Sequence, residues 1–218
     1  MDTRSDPLIG LFQRRMDVLD LLGRVWELLY IEGYSPDIGK RRENFIKLLL
    51  KYEFGLEVIS APDTESYWDF KVRIKGRWYT YSLKTTERPV IVKVAWDGFP
   101  SYERARSFEF SYPILYITAN RKTKRIDLYV FTQSIIDKVR SSLGRDFWWI
   151  PRKGTNPRGF GISTRAIRIL MEKADKIGNH VGKNYEPIEN IELAVEEYWR
   201  GWYRLLKSLA GYNDRLNP

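Results

Sequence analysis

With 218 residues, 43% of them hydrophobic and 30% charged, the chain can bury one good core, and we predict a single domain over residues 1–218. It contains no cysteine and one histidine, His180, which excludes disulfides, thiolate catalysis, cysteine zinc sites and multi-histidine metal sites. The net charge of +9 favours a polyanionic partner. No apolar run approaches the ~20 residues of a membrane span, and the amino terminus lacks a signal-peptide pattern, so we expect an intracellular, cytoplasmic protein without a membrane partner.

The first part of the chain is predicted to be helical. Apolar residues recur with helical spacing over residues 7–31. Ser35-Pro36 supplies the capping serine and first-turn proline of a second helix, which ends near Phe54 because Gly55 follows. A short strand over residues 56–60 comes next.

Two segments that alternate with period two, residues 68–74 and 77–84, are separated only by Lys75-Gly76 and predict a tight hairpin. If Ile74 pairs with Arg77, Asp69 lies opposite Ser82. Lys84 then lies diagonally from Asp69 on the same face, about 7–8 Å away between backbones. A carboxylate and an amine on one sheet face are suited to metal-assisted cleavage of a phosphodiester.

The remaining elements continue a mixed α/β pattern. They are a strand over 90–94, a short helix over 100–106, a hairpin of strands 113–119 and 126–131, a helix over 134–143, a strand over 147–150, a loop over 151–159, and helices over 163–177 and 189–209. We expect His180 to lie in a loop without a catalytic role. The apolar stripe of the last helix, which includes Trp199 and Trp202, leaves room for a homodimer interface.

The positive charge is concentrated in the basic segment, residues 121–168. Twelve basic residues there stand against three acidic ones, which accounts for the whole excess of +9. Aromatic residues interleave with these charges, so we predict that the segment contacts nucleic acid; a solvated basic face is the plainer alternative. Of the adjacent Trp148 and Trp149, one should point inwards, so at most one can stack on a base. The candidate DNA contacts are Arg121, Lys122 and Lys124 at a hairpin tip, and Arg152, Lys153 and Arg158 in the following loop.

Three residues could build a metal-dependent nuclease site. Asp69 is the first candidate ligand, since Mg²⁺ is usually held by one or two carboxylates, substrate phosphate oxygens and water. Lys84 would orient the nucleophile and stabilise charge on the phosphate. Glu43 shares a helical stripe with Ile46 and Leu50 and is therefore predicted to face the sheet as a third member.

From about residue 36 to 131 the sequence resembles the PD-(D/E)XK nuclease superfamily, which includes restriction endonucleases and archaeal Holliday-junction resolvases. The matching features are Glu43 on a helix, Asp69 at the entry of a strand, and Ser82-Leu83-Lys84 on its hairpin partner. The resemblance implies an α/β fold with a restriction-endonuclease-like αβββαβ core, a mixed central sheet and helices added at both termini. It also implies DNA cleavage with Mg²⁺, for which Mn²⁺ can substitute, by Asp69 as metal aspartate, Lys84 as catalytic lysine and Glu43 as helix acid.

The sequence departs from this superfamily at Ser82, where Asp or Glu is usual. Some members with serine there take the acid from later in the chain, and the candidates here are Glu87, Asp97 and Glu103, of which we favour Glu103 as the metal ligand. The literal Pro62-Asp63 ranks below Asp69 because polar loop residues follow it, whereas Asp69 begins the alternating strand.

We therefore predict a magnesium-dependent endonuclease acting on duplex or branched DNA. Two alternatives stay open: a catalytically inactive nucleic-acid-binding protein on a decayed nuclease fold, with Ser82 marking the lost acid, and an interaction scaffold that uses its terminal helices.

Overall fold

Two β-sheets organise the part of the chain that a computed structural model describes, which comprises residues 5–31, 38–62, 65, 67–95, 101–120, 123–151 and 158–180. The chain divides into two units, Met1–Val181 and Gly182–Pro218, and every described residue lies in the first. The single domain over residues 1–218 therefore stays a prediction, and the helix over 189–209 lies outside the described residues.

The helices are α1 Pro7–Arg14, α2 Met16–Ile31, α3 Ile38–Tyr52, α4 Tyr102–Arg106, α5 Gln133–Leu143 and α6 Thr164–Lys173, with a 3-10 helix over Gly144–Phe147. The strands are β1 Glu57–Ser60, β2 Phe70–Ile74, β3 Arg77–Thr86, β4 Val92–Ala95, β5 Ile114–Asn120, β6 Arg125–Phe131, β7 Trp148–Trp149, β8 Phe160–Ile162 and β9 Asp175–His180. Among the described residues, no helix combines the length and apolarity that crossing a membrane would need.

The larger sheet has the strand order β1-β2-β3-β5-β6-β9, and the smaller one has the order β4-β8-β7. All pairs are antiparallel except β3 with β5, so the central sheet is mixed, as predicted. The β2–β3 hairpin has the predicted register, with Ile74 opposite Arg77. Both loop residues have positive φ, 49° at Lys75 and 79° at Gly76, which is the backbone that a two-residue turn between twisted strands needs.

Two hydrophobic clusters cover the two faces of the larger sheet. The first contains Leu83, Leu115 and Ile117 together with apolar residues of α1, α2 and α3. The second contains Ile114 and Tyr116 together with residues of α5, α6 and the smaller sheet. Because successive strand side chains point to opposite faces, Ser82 and Lys84 lie on the second face.

Three predicted elements differ from the structure. The helix over 7–31 is interrupted at Arg15 (φ −134°), where the Asp6-capped α1 ends and α2 begins. The strand predicted over 90–94 is β4, and it pairs with the unpredicted β8 rather than with the larger sheet. The helix over 163–177 was too long: α6, capped by Ser163, ends at Lys173, and the following residues form β9 on the edge of β6. His180 is accordingly in a strand and not in a loop.

Candidate active site

The strand that pairs with β3 changes from β2 to β5 at the position of the candidate site. Tyr81 is the last residue of β3 paired with β2, and Ser82 is the first paired with β5. The Asp69 N–H donates to the Tyr81 carbonyl (2.9 Å), and the Asp69 carbonyl accepts from the Ala61 N–H (3.0 Å). Asp69 is thus held by backbone bonds on both sides, at the point where β2 begins.

The Asp69 carboxylate lies beside three groups of β3, of which two donate hydrogen bonds and one is an ion-pair partner. Its Oδ2 accepts hydrogen bonds from the Leu83 N–H and from the Ser82 hydroxyl (Oγ–Oδ2, 3.1 Å), and the Lys84 ammonium lies 3.7 Å from the same oxygen. The Lys84 and Asp69 side chains are 24% and 26% exposed, so water and solutes can reach them. The predicted placement of Asp69 and Lys84 on one face is confirmed.

A cleft of about 820 Å³ opens above these groups. Three parts of the fold meet around it: the hairpin, the smaller sheet, and α4 with the segment that follows it. The lining residues are Glu65, Tyr67, Asp69 and Lys84, then Val94, Ala95 and Phe160, then Arg104, Ser107, Phe108, Glu109 and Ser111. Carboxylates and cations therefore share one half-open cleft with aromatic side chains.

Two acids in this cleft, Glu109 and Glu65, were missed by the sequence reasoning. Glu109 lies just before β5, whose first residue Ile114 pairs with Ser82, so the parallel crossover brings it to the site. Glu65 also accepts from the Tyr67 N–H (2.8 Å). No local sequence pattern distinguishes Glu109 from other acids, because its position depends on which strand pairs with β3.

The acids that were predicted lie elsewhere or outside the described residues. Glu103 is exposed in the first turn of α4, and its side chain is not among those that line the cleft. Glu43 pairs with Lys47 along α3 (2.8 Å) and does not line the cleft either. Glu87 directly follows β3 and is not among the lining side chains, whereas Asp97 is not described.

The oxygen donors of the cleft suit a hard divalent cation of the Mg²⁺ type. Within the described ranges, no group of three or more His, Cys, Asp or Glu residues is arranged to hold a metal ion. Mg²⁺ does not require one, because it is commonly held by one or two carboxylates while water and substrate phosphates complete its shell. Asp69 with one cleft acid therefore fits such an ion.

A buried pair supports β3 from the opposite face. The Tyr81 hydroxyl donates to the Asp6 carboxylate (3.0 and 3.2 Å), and this carboxylate also accepts from the Leu8 N–H at the start of α1 (2.9 Å). Burial raises the pKa of Tyr81 and, together with the nearby Asp175, raises the pKa of Asp6. Tyr81 thus ties the strand that carries Ser82 and Lys84 to α1.

The predicted DNA contacts are only partly described. Arg158 is exposed and lies two residues before Phe160, which lines the cleft. Its backbone carbonyl accepts a hydrogen bond from the Lys93 ammonium of β4 (3.3 Å). Lys124 is at the β5–β6 tip, at the end of β5 far from the site. Asn120, the last residue of β5, lies six residues from Ile114, so the tip is roughly 20 Å from the site end of the strand. Arg121, Lys122, Arg152 and Lys153 lie outside the described residues.

The two adjacent tryptophans differ as expected. Trp148 is buried (7% exposed) in an aromatic cluster with Phe108 and Phe160. Trp149 is half-buried, with the Lys93 ammonium 5.8 Å from its ring centroid. One of the pair points inwards, as predicted.

Comparison with known proteins agrees with this architecture. The family model described as "Restriction endonuclease ThaI" matches residues 7–190. A solved structure titled "Restriction endonuclease in complex with substrate DNA" is similar over 90% of this chain and 100% of its own, with a TM-score of 0.63 and 25% sequence identity. No curated protein matches the chain significantly. The predicted restriction-endonuclease-like fold is confirmed, and the chain belongs to the family of restriction endonuclease ThaI.

Proposed function

We propose that this protein is a divalent-metal-dependent DNA endonuclease that hydrolyses phosphodiester bonds, with Mg²⁺ as its cation and Mn²⁺ as a substitute. The observation that carries the proposal is the Asp69 carboxylate 3.7 Å from the Lys84 ammonium, in an open cleft of a chain from this family. A similar solved structure is that of a restriction endonuclease with substrate DNA, which supports DNA as the substrate, and we propose duplex DNA rather than a four-way junction.

Asp69 and one further cleft acid would hold the cation, and we propose Glu109 first and Glu65 second. When bound, the cation supplies charge neutralisation and lowers the pKa of an attacking water. The donor set comprises oxygens alone, as Mg²⁺ prefers. Glu109 replaces Glu103 and Glu43 as the preferred partner of Asp69, because it lines the cleft and they do not.

Lys84 would stabilise the negative charge that develops on the phosphate during cleavage. Its ammonium is placed by β3 beside the carboxylate, and a cation that is already in position stabilises developing charge without having to reorganise during the reaction. The backbone of β3 holds it there, since Lys84 pairs with Tyr116 in the centre of the sheet.

DNA would be held by basic residues around the cleft. We propose Arg158 as a phosphate contact because the smaller sheet connects it to the cleft wall, and Arg121, Lys122, Lys124, Arg152 and Lys153 as further contacts from the charge of the basic segment. A homodimer would let two such sites address the two strands of a duplex.

Cleavage assays with a matched set of variants test the proposal. Wild-type protein should nick or linearise plasmid DNA in Mg²⁺ and not in EDTA, and should cut a four-way junction no better than plasmid. Lys84→Ala should lose roughly 100-fold or more of the cleavage rate while it still binds DNA in Ca²⁺.

Glu109→Gln and Glu103→Gln form the second matched pair, because both side chains are exposed but only Glu109 lines the cleft. Glu109→Gln should cut much more slowly than wild type, and Glu103→Gln should cut normally. Full activity of Lys84→Ala would remove the catalytic assignment. A wild-type protein that binds DNA but neither cuts it nor binds Mn²⁺ would show that the protein is an inactive DNA-binding member of the fold.

A further inference from the structure

We infer that Ser82 is a positioning residue that fixes the rotamer of Asp69, and is not the remnant of a lost metal ligand. The inference rests on the proposed function and concerns the same site. Strand β3 pairs with β2 as far as Tyr81 and with β5 from Ser82 onwards, and Asp69 lies where this change occurs.

In the described part of the chain, no strand backbone accepts a hydrogen bond from the Leu83 N–H. The Ser82 N–H donates to the Pro113 carbonyl on the β5 side (3.0 Å). Successive N–H groups of a strand point to opposite sides, so the Leu83 N–H points to the side of β2, which begins only at Phe70. The Asp69 carboxylate fills this place and accepts from the Leu83 N–H through Oδ2.

Ser82 adds a second donor to the same oxygen. The Ser82 hydroxyl lies 3.1 Å from Oδ2, and the Lys84 ammonium lies 3.7 Å from the same oxygen. Together with the Leu83 N–H, all three β3 groups therefore interact with one carboxylate oxygen. Among the described residues, none donates a hydrogen bond to Oδ1 of Asp69. One oxygen of Asp69 is therefore held by β3, and the other is left as the oxygen that can bind a cation.

In this chain the side chain at position 82 acts as a donor to Asp69. A hydroxyl can donate to Oδ2, whereas an ionised Asp or Glu only accepts and would place a like charge beside Asp69. Alanine would leave the orientation to the Leu83 N–H and Lys84 alone. Groups that orient a metal ligand typically change metal affinity or activity by about 10–100-fold when they are removed.

Titration calorimetry with Mn²⁺ in the absence of DNA, together with cleavage kinetics in Mg²⁺, tests the inference. The full-length variants are Ser82→Ala, Ser82→Thr and Asp69→Ala. Ser82→Ala should bind Mn²⁺ roughly 10-fold more weakly than wild type and show a lower kcat with little change in KM. Ser82→Thr keeps the hydroxyl and should stay within about threefold of wild type, since loss of the donor is the cause.

Asp69→Ala identifies which Mn²⁺ site is measured, because it should lose that site altogether. A wild-type protein without this site would overturn the proposed function itself. If wild type binds Mn²⁺ and Ser82→Ala binds it equally well, the proposed function survives and the positioning role of Ser82 is refuted. Thermal melts of each variant in EDTA check that the protein is folded.

Discussion

Replacing Asp69 by alanine or by asparagine separates the two roles that the structure assigns to this carboxylate. One role is structural, since Oδ2 is the acceptor for the Leu83 N–H. The other is the proposed binding of the cation. Alanine removes both roles, whereas asparagine keeps a carbonyl oxygen that can accept from Leu83 but removes the negative charge.

The expected cost of alanine follows from the burial of Leu83, which is 6% exposed. A buried N–H left without an acceptor costs about 1–3 kcal/mol. Ser82 and Lys84 are half-buried and can turn to water, so their lost bonds add little. At about 2–4 °C per kcal/mol for a domain of this size, Asp69→Ala should lower Tm by roughly 2–12 °C, and Asp69→Asn should lose at most about 1 kcal/mol.

Circular-dichroism melts in EDTA give the Tm values without stabilisation by a bound metal. Plasmid cleavage in Mg²⁺ then gives the activity, and both variants should have lost it although only alanine is clearly less stable. An Asp69→Ala protein that melts with wild type would refute the Leu83 hydrogen bond and the hairpin register behind it. Cleavage by either variant would refute the catalytic assignment of Asp69.

Two further predictions concern the scaffold. A Cβ at Gly178 would overlap Asp127 Oδ1 and lie 2.8 Å from Arg125 Nη2, so Gly178→Ala should lower the free energy of unfolding by about 1–2 kcal/mol in denaturant titrations. The cost should shrink in an Asp127→Ala background, because the obstructing carboxylate is gone, and an unchanged cost would contradict this reasoning. Burial is the main cause that raises the pKa of Asp6 above its ordinary 3.8, so its contribution to stability is fully present below about pH 3.8 and is lost as the pH rises through the folded-state pKa. Asp6→Asn keeps an acceptor for Leu8 and Tyr81 without titrating, so it should be more stable than wild type near pH 7 and lose that advantage below about pH 4; an equal difference in Tm at both pH values would contradict the shift.

The β2–β3 hairpin could be predicted because every signal for it is local. The alternation of side chains, the two-residue loop and Gly76 lie within 17 residues, and together they determine the register that brings Asp69 to Lys84. The same holds for the start of α6, where the Ser163 hydroxyl accepts from the Ala166 N–H three residues on.

Strand β9 could not be predicted in the same way. Residues 163–177 have helical periodicity, and α6 follows it as far as Lys173. The next residues pair with β6 instead, because that strand offers an unpaired edge and Gly178 lets the backbone approach the Asp127–Arg125 pair. The position of an edge in the folded sheet decides this element, and no local pattern encodes it.

The sequence by itself determined that Asp69 and Lys84 lie on one face, because the register of a short hairpin is set by neighbouring residues alone. Tertiary structure alone decided that Ser82 and the Leu83 N–H hold one oxygen of Asp69, and that Glu109 rather than Glu103 lines the cleft. The first fact depends on β2 beginning only at Phe70, so that the Asp69 side chain meets β3 where the strand ladder ends. The second follows from the parallel pairing of β3 with β5, two strands separated by 27 residues of chain. Such a crossover is stabilised by packing on both sheet faces, which is a property of the whole fold and not of any one segment.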